Sequence, residues 1–149
     1  MRASPRRHPP YRPDNFFDCL GVEESLTVAN SAALREMGEY LAMLDSTSTP
    51  KLSVVTGKAV GLGYSLFAAK SVGFDYTFAF ATANISLFEA AAGAQIEFSG
   101  EEGDKDALAI RYAEENADPF HAAKGGYLDD IIEPQFVKQY LIAALETLQ

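Results

Sequence analysis

Apolar and polar positions alternate along this chain in two rhythms, one of sheet and one of helix. Asn15 to Leu20 (NFFDCL) is a short apolar run closed by Gly21, which predicts a buried strand followed by a loop. Leu34, Met37, Leu41 and Leu44 then recur at steps of three and four, one apolar stripe on a helix that Thr27 or Ser31 would cap and Pro50 would end. Leu52 to Thr56 (LSVVT) is β-branched and predicts a second buried strand. Beyond Gly61 and Gly63 lies a short helix ending at Gly73. DYTFAF (75–80) and NISLF (84–88) predict strands, and Glu89 to Glu97 an Ala-rich helix. An exposed turn, SGEEGDK, precedes a helix from Ala107 to Asn116. Pro119 opens another helix that Gly125 and Gly126 stop. Leu128 to Ile132 is the last predicted strand, and Pro134 begins a terminal helix with Phe136, Tyr140, Ala144 and Leu148 on one face. Strands and helices alternate throughout, which predicts α/β layering with right-handed crossovers.

Composition narrows the function. The 149 residues are 48% hydrophobic and 22% charged, enough for one domain with a core. Residues 1–14 (MRASPRRHPPYRPD) are dominated by proline and arginine, the composition of a disordered leader. The net charge is −9, and with the four leader arginines set aside the remainder carries −13. Such a body repels phosphate backbones, so nucleic acid is excluded as a partner. No apolar run is long enough to span a bilayer. Cys19 is the single cysteine, which fits a reducing compartment, with the cytoplasm as the expected location. One Cys and two His do not make the usual zinc ligand sets, so no metal is expected.

Catalytic side chains are scarce. His8 falls in the leader, and His121 is the other histidine. Ser–His–Asp and Cys–His mechanisms therefore have little to draw on. The most suggestive local feature is the strand–glycine–helix junction from Val55 to Tyr64 (VTGKAVGLGY). The first amides of a helix have no intrahelical acceptor, the helix dipole favours negative charge there, and glycine admits close approach. Such a junction makes either an oxyanion hole or simply a tight, closely packed turn. A dinucleotide-binding fingerprint fits less well, because the third glycine it needs is Leu66.

Three segments carry a family resemblance. KAVGLGY, DYTFAFATANISLFEAAAGAQIEF and DPFHAAKGGYLDDIIEP follow one another as the C-terminal motifs of biotin-dependent acyl-CoA carboxyltransferases do. Those motifs are K-A-x-G-G-A-Y, then Y-A-W-P-T-A-E-I, then N-P-F-x-A-A-x-x-G-x-x-D-D-I-I-x-P. The sequence therefore resembles the β subunits of propionyl-, methylcrotonyl- and acetyl-CoA carboxylases and the α subunits of sodium-pumping acyl-CoA decarboxylases. The likeness runs from about Phe16 to the C-terminus, and its last motif is the most specific.

The resemblance implies an α/β, crotonase-like ββα spiral, with residues 15–149 forming part of a C-terminal carboxyltransferase domain that lacks its first strands. It implies transfer of a carboxyl group between biotin and the α-carbon of an acyl-CoA, in either the ligase or the decarboxylase direction. Backbone amides would stabilise the oxyanions. By position, the biotin-side hole falls on the amides of Leu62 and Gly63. Gly61, Tyr64, Ser65, Phe80 and Ala81 would line the substrate. Leu62 stands where relatives have Gly, Ser65 where many have a specificity-shaping Asp, Phe80-Ala81 where they have Trp-Pro, and Asn84 where they have Glu. Biotin would arrive on a carrier protein, and a separate CoA-binding half would hold the acyl-CoA, so the chain is expected to work in a homo- or hetero-oligomer and to be inactive alone. The alternative is a non-catalytic remnant or assembly subunit that keeps the fold.

Overall fold

The computed structural model describes the backbone of Asp14–Cys19 and, with side chains, residues 32–148. The leader expected over residues 1–14 lies outside the described residues, except Asp14, which opens the first strand.

Five parallel strands form one sheet: β1 (Asp14–Cys19), β2 (Leu52–Val60), β3 (Tyr76–Ala79), β4 (Asn84–Ser86) and β5 (Asp130–Ile131). β2 organises it. Its first half lies between β1 and β3, with Val54 opposite Phe16 and Phe78. Its second half pairs with β4, Ala59 opposite Ile85. β5 adds outside β3. The expected strand 52–56 therefore continues to Val60, because β4 supplies ladder partners for Lys58 to Val60. The expected strand 128–132 shrinks to two residues. Asp129 takes the Thr77 N–H with its carboxylate, at 2.8 Å, in place of a main-chain carbonyl.

Side chains alternate across β2 with the strand period of two, which gives the sheet two apolar faces. Leu52, Val54 and Phe78 pack on Ile132, just past β5, and on Leu141 and Ala144 of the C-terminal helix α6 (Val137–Thr147). Val55, Ala59 and Ala79 pack on the other face against Ala68, Ala122 and Leu128, which follow from α2 (Leu62–Phe67) and α5 (Pro119–Lys124). The second face is built mostly of alanine, so the helices there lie close to the sheet. A third cluster joins α3 (Ala90–Glu97) to α4 (Lys105–Asn116) through Ala94, Phe98 and Tyr112.

Two helix expectations need correction. Helix α1 (Ala33–Ser46) forms, but Ala32 is its N-cap and makes no side-chain cap bond; Thr27 and Ser31 lie outside the described residues. Of the stripe Leu34, Met37, Leu41 and Leu44, only Leu44 is buried, and Leu34 is 47% exposed. Among the described residues the helix meets the 3-10 turn Lys70–Val72 and sets Tyr40 on Phe67, with ring centroids 5.5 Å apart. At the C-terminus, residues Pro134–Phe136 form a 3-10 turn before α6. Phe136 stands in that turn, where three residues per turn replace 3.6, and is 40% exposed, whereas Tyr140, Ala144 and Leu148 join the cluster on the sheet together with Leu141. Among the described residues no helix is long and apolar enough to cross a membrane.

Candidate active site

The junction between β2 and α2 is built by Gly61. Its N–H donates to Ser86 O at 2.9 Å, extending the β2–β4 ladder by one step. The chain then turns at φ 51°, ψ −118°, a conformation open to glycine and strained for residues with a Cβ. α2 follows at once, with Ser65 N–H closing its first turn on Gly61 O at 3.1 Å. Leu62 and Gly63 occupy the first two helical positions. Their amides lie in the part of a helix that has no intrahelical acceptor, and neither donates to an acceptor among the described residues. Leu62 is 41% exposed, whereas Gly63 is buried.

A cavity of about 580 Å³ opens beside this turn. Gly61, Tyr64 and Ser65 form one wall, and Ile85 to Phe88, at the end of β4, form the next. α3 contributes Gly93, Ile96 and Glu97, and α4 contributes Tyr112 and Asn116. Gly93 has no side chain to spare: a Cβ there would stand 2.1 Å from Tyr112 Cζ. The missing Cβ leaves room for the tyrosine ring against α3.

Tyr64 ties the wall together. Its hydroxyl donates to Tyr127 O at 2.6 Å, and the two rings meet edge to face at 6.3 Å. Burial, reinforced by Tyr127 and Asp129, pushes the Tyr64 pKa up to about 12, so the hydroxyl is a neutral donor at physiological pH. Asp129 pairs with Lys70 of the 3-10 turn Lys70–Val72, accepts Thr77 N–H, and returns its own N–H to Thr77 O at 2.8 Å. Thr77 Oγ1 in turn donates to Ala68 O. The first Asp of the DDII motif thus clamps β3 to the end of α2. The second, Asp130, bonds the Tyr140 hydroxyl and raises its pKa.

Of the residues singled out from the sequence, Gly61, Tyr64 and Ser65 come together on the cavity wall. Leu62 and Gly63 belong to the same turn but lie outside the cavity lining. Phe80 sits past β3 and packs with the α6-facing cluster, and Ala81 is exposed; neither lines the cavity. Sequence reasoning missed the far walls, Ile96, Glu97, Tyr112 and Asn116. The one local signal was Gly93, a glycine inside an Ala-rich helix, which marks a close approach. His121 lines the cavity as an exposed side chain. No cluster of three or more His, Cys, Asp or Glu suited to a metal occurs among the described residues.

The model of the carboxyl transferase domain matches residues 30–149. The chain is 33% identical over 134 residues to the methylmalonyl-CoA decarboxylase subunit alpha of Veillonella parvula, covering 90% of this chain and 26% of that protein. It is 32% identical over 133 residues to the mitochondrial propionyl-CoA carboxylase beta chain of Rattus norvegicus, covering 89% of this chain and 24% of the relative. Among solved structures, hexameric transcarboxylase 12S with methylmalonyl-coenzyme A and methylmalonic acid bound superposes with a TM-score of 0.81 at 25% identity, over 90% of this chain and 26% of that one. The β subunit of P. aeruginosa geranyl-CoA carboxylase shares the fold, with a TM-score of 0.72 at 13% identity over 91% of this chain and 28% of that one. The fold is the crotonase-like α/β fold of these proteins. The chain spans about a quarter of the length of the relatives it matches.

Proposed function

The chain belongs to the carboxyl transferase domain family, and from that premise we propose that it is the biotin-facing part of an acyl-CoA carboxyltransferase whose amides at Leu62 and Gly63 hold an oxyanion. The observation that carries this reading is the Gly61 turn. It delivers two first-turn amides, without acceptors among the described residues, beside a cavity of ligand size.

Biotin, when bound on its carrier, supplies the carboxyl group, and the donor set here suits its ureido oxygen. An anionic oxygen asks for two convergent N–H donors rather than for an acid or a metal, and first-turn helix amides are such donors. Gly63 adds no side chain to obstruct the approach. Gly61 fixes the direction of the turn, and its own N–H is committed to Ser86, so the holding falls to the next two residues. Tyr64 anchors the turn from below through Tyr127. No side-chain acid or base is needed, in keeping with the scarcity of candidates. The chain works in a reducing, cytoplasmic setting, in an oligomer with a CoA-binding half and a biotin carrier protein. Residues 15–149 act as one carboxyltransferase unit.

The test combines the chain with a CoA-binding half and a biotin carrier, and measures decarboxylation of methylmalonyl-CoA or malonyl-CoA. Leu62→Pro removes one donor at the first helical position, where proline suits the backbone. Gly63→Val blocks approach to the other. Each is expected to lower turnover by about 10²–10³, Leu62→Pro, at a position 41% exposed, with little change in melting temperature. Wild-type turnover in both variants would dismiss the oxyanion role. Activity and melting temperature falling together would make the glycine turn merely structural. A wild-type complex inert toward every acyl-CoA tried would favour the non-catalytic assembly reading.

A further inference from the structure

Resting on that reading, we infer that Asp129 is a positioning residue for carboxyl transfer: through Thr77 and Lys70 its carboxylate fixes the rear of α2, and so the aim of the Leu62 and Gly63 amides at the front.

The first ground is the shortness of α2. Six residues are too few for a helix to hold itself in water, so its direction is set by what grips its ends. The front is pinned to β4 by Gly61 N–H on Ser86 O at 2.9 Å. The rear ends at Ala68, with no glycine to cap it, and Ala68 O accepts from Thr77 Oγ1. A helix of six residues is about 9 Å long, so with the front held a rear displacement of about 2 Å tilts it by about 13°. Catalytic donors tolerate only about 10–20° of misalignment.

The second ground is the commitment of Thr77 and Lys70. Thr77 is fully buried; its N–H donates to Asp129 Oδ2 and its carbonyl accepts from Asp129 N–H, both at 2.8 Å. This reciprocal pair fixes the backbone that carries Thr77 Oγ1, the group that holds Ala68 O. The other carboxylate oxygen, Oδ1, pairs with Lys70 in the 3-10 turn that follows α2. Both oxygens therefore act on the end of α2. A continuing strand would have met Thr77 N–H with a carbonyl; a carboxylate there meets it and holds Lys70 as well.

The third ground is the division of labour in the motif. Asp130, the next residue, bonds Tyr140 on the face of the sheet covered by α6. Tyr127, two residues before Asp129, accepts from Tyr64 of α2. The segment Tyr127–Asp129 thus grips α2, and Asp130 grips α6.

The experiment assembles the full chain with a CoA-binding half and a biotin carrier protein and follows methylmalonyl-CoA decarboxylation well below each variant's melting temperature. Asp129→Ala and Thr77→Val are expected to lower kcat by about 10- to 100-fold, with KM for methylmalonyl-CoA and for the carrier within about twofold. Thr77→Ser keeps the hydroxyl and should restore kcat. Asp129→Ala and Thr77→Val combined should cost little more than the larger single loss, because both cut the same connection. Asp130→Asn, whose bond to Tyr140 lies on the opposite face, should keep wild-type kcat. Lowered melting temperatures with wild-type kcat in Asp129→Ala and Thr77→Val would make the clamp merely structural and overturn the inference. So would an equal loss in Asp130→Asn or Thr77→Ser, or a fall carried by KM alone. If Asp129→Ala does not fold, the Thr77 pair decides by the same criteria. Gly63→Val and Leu62→Pro, run alongside, separate the two levels. Loss in those with wild-type kcat at positions 129 and 77 overturns this inference alone. Wild-type turnover in those removes the oxyanion role, and this inference with it.

Discussion

Replacing Gly93 by alanine tests the packing that shapes the cavity, because local and tertiary effects pull in opposite directions. Gly93 lies inside helix α3, where alanine is favoured over glycine by about 1 kcal/mol. Propensity alone therefore predicts a more stable protein. A Cβ at this position, however, would stand 2.1, 2.3 and 2.6 Å from Cζ, Cε1 and Cε2 of Tyr112. Carbon atoms pack best at about 3.5–4.0 Å, so the ring would have to recede by more than about 1 Å. Its contacts oppose that movement. Tyr112 is buried with Ala94 and Phe98, and its hydroxyl is bonded to the Phe88 backbone. Overpacking of this kind costs about 1–3 kcal/mol, which leaves a net loss of up to about 2 kcal/mol after the helix gain. For a chain of this size the melting temperature should fall by up to about 4–8 °C. The decisive measurement is the same substitution in a Tyr112→Leu background, which lacks the three clashing atoms. There Gly93→Ala should be neutral or stabilising by up to about 1 kcal/mol. The double-mutant cycle read by thermal or urea melts should therefore show coupling of about 1–3 kcal/mol. A higher melting temperature for Gly93→Ala alone, or the same effect in both backgrounds, would refute the argument.

Two further outcomes follow from named groups. Ser53 Oγ is fully buried in β2 and has no hydrogen-bond partner among the described residues, so Ser53→Ala should stabilise the protein by about 1–3 kcal/mol, raising the urea midpoint; an unchanged or lower midpoint would mean the hydroxyl finds a partner in solution. The Tyr64 pKa, raised from 10.0 to about 12 chiefly by burial, means the folded state retains a proton that the unfolded chain loses between those values. Tyr64's contribution to stability is then complete below pH 10 and is lost as pH rises toward 12. Melts between pH 9 and 11.5 should show a shallower alkaline decline in Tyr64→Phe than in wild type, and parallel curves would contradict the assignment.

Much of the fold was legible locally. The β-branched run of β2, the glycine stop at Gly126 and the Asp118–Pro119 start of α5 each encode an element by backbone preference, whereas the helix expected to run to Gly73 ends at Phe67 and Gly73 closes the separate 3-10 turn Lys70–Val72. The α1 stripe misled because an i, i+3, i+4 pattern announces an apolar face without saying what covers it. Only Leu44 on that face is buried. The short β5 misled for a different reason. Whether a strand continues depends on what its neighbour's amides bond to, and the Asp129 carboxylate had claimed one of them.

The candidate site divides along the same line. The sequence by itself determined the Gly61–Ser65 turn, since a glycine with positive φ followed by a helix is written in consecutive residues. It also determined the family, through motifs whose spacing survives in one dimension. Only the tertiary structure decided that Ile96, Tyr112 and Asn116, some 30 to 50 residues downstream, close a cavity against that turn. It likewise decided that Phe80 packs on the opposite face with α6. Adjacency across a sheet depends on register and crossover. These are set by the pairing of β2 with β3 and β4 together, and no segment read alone carries that information.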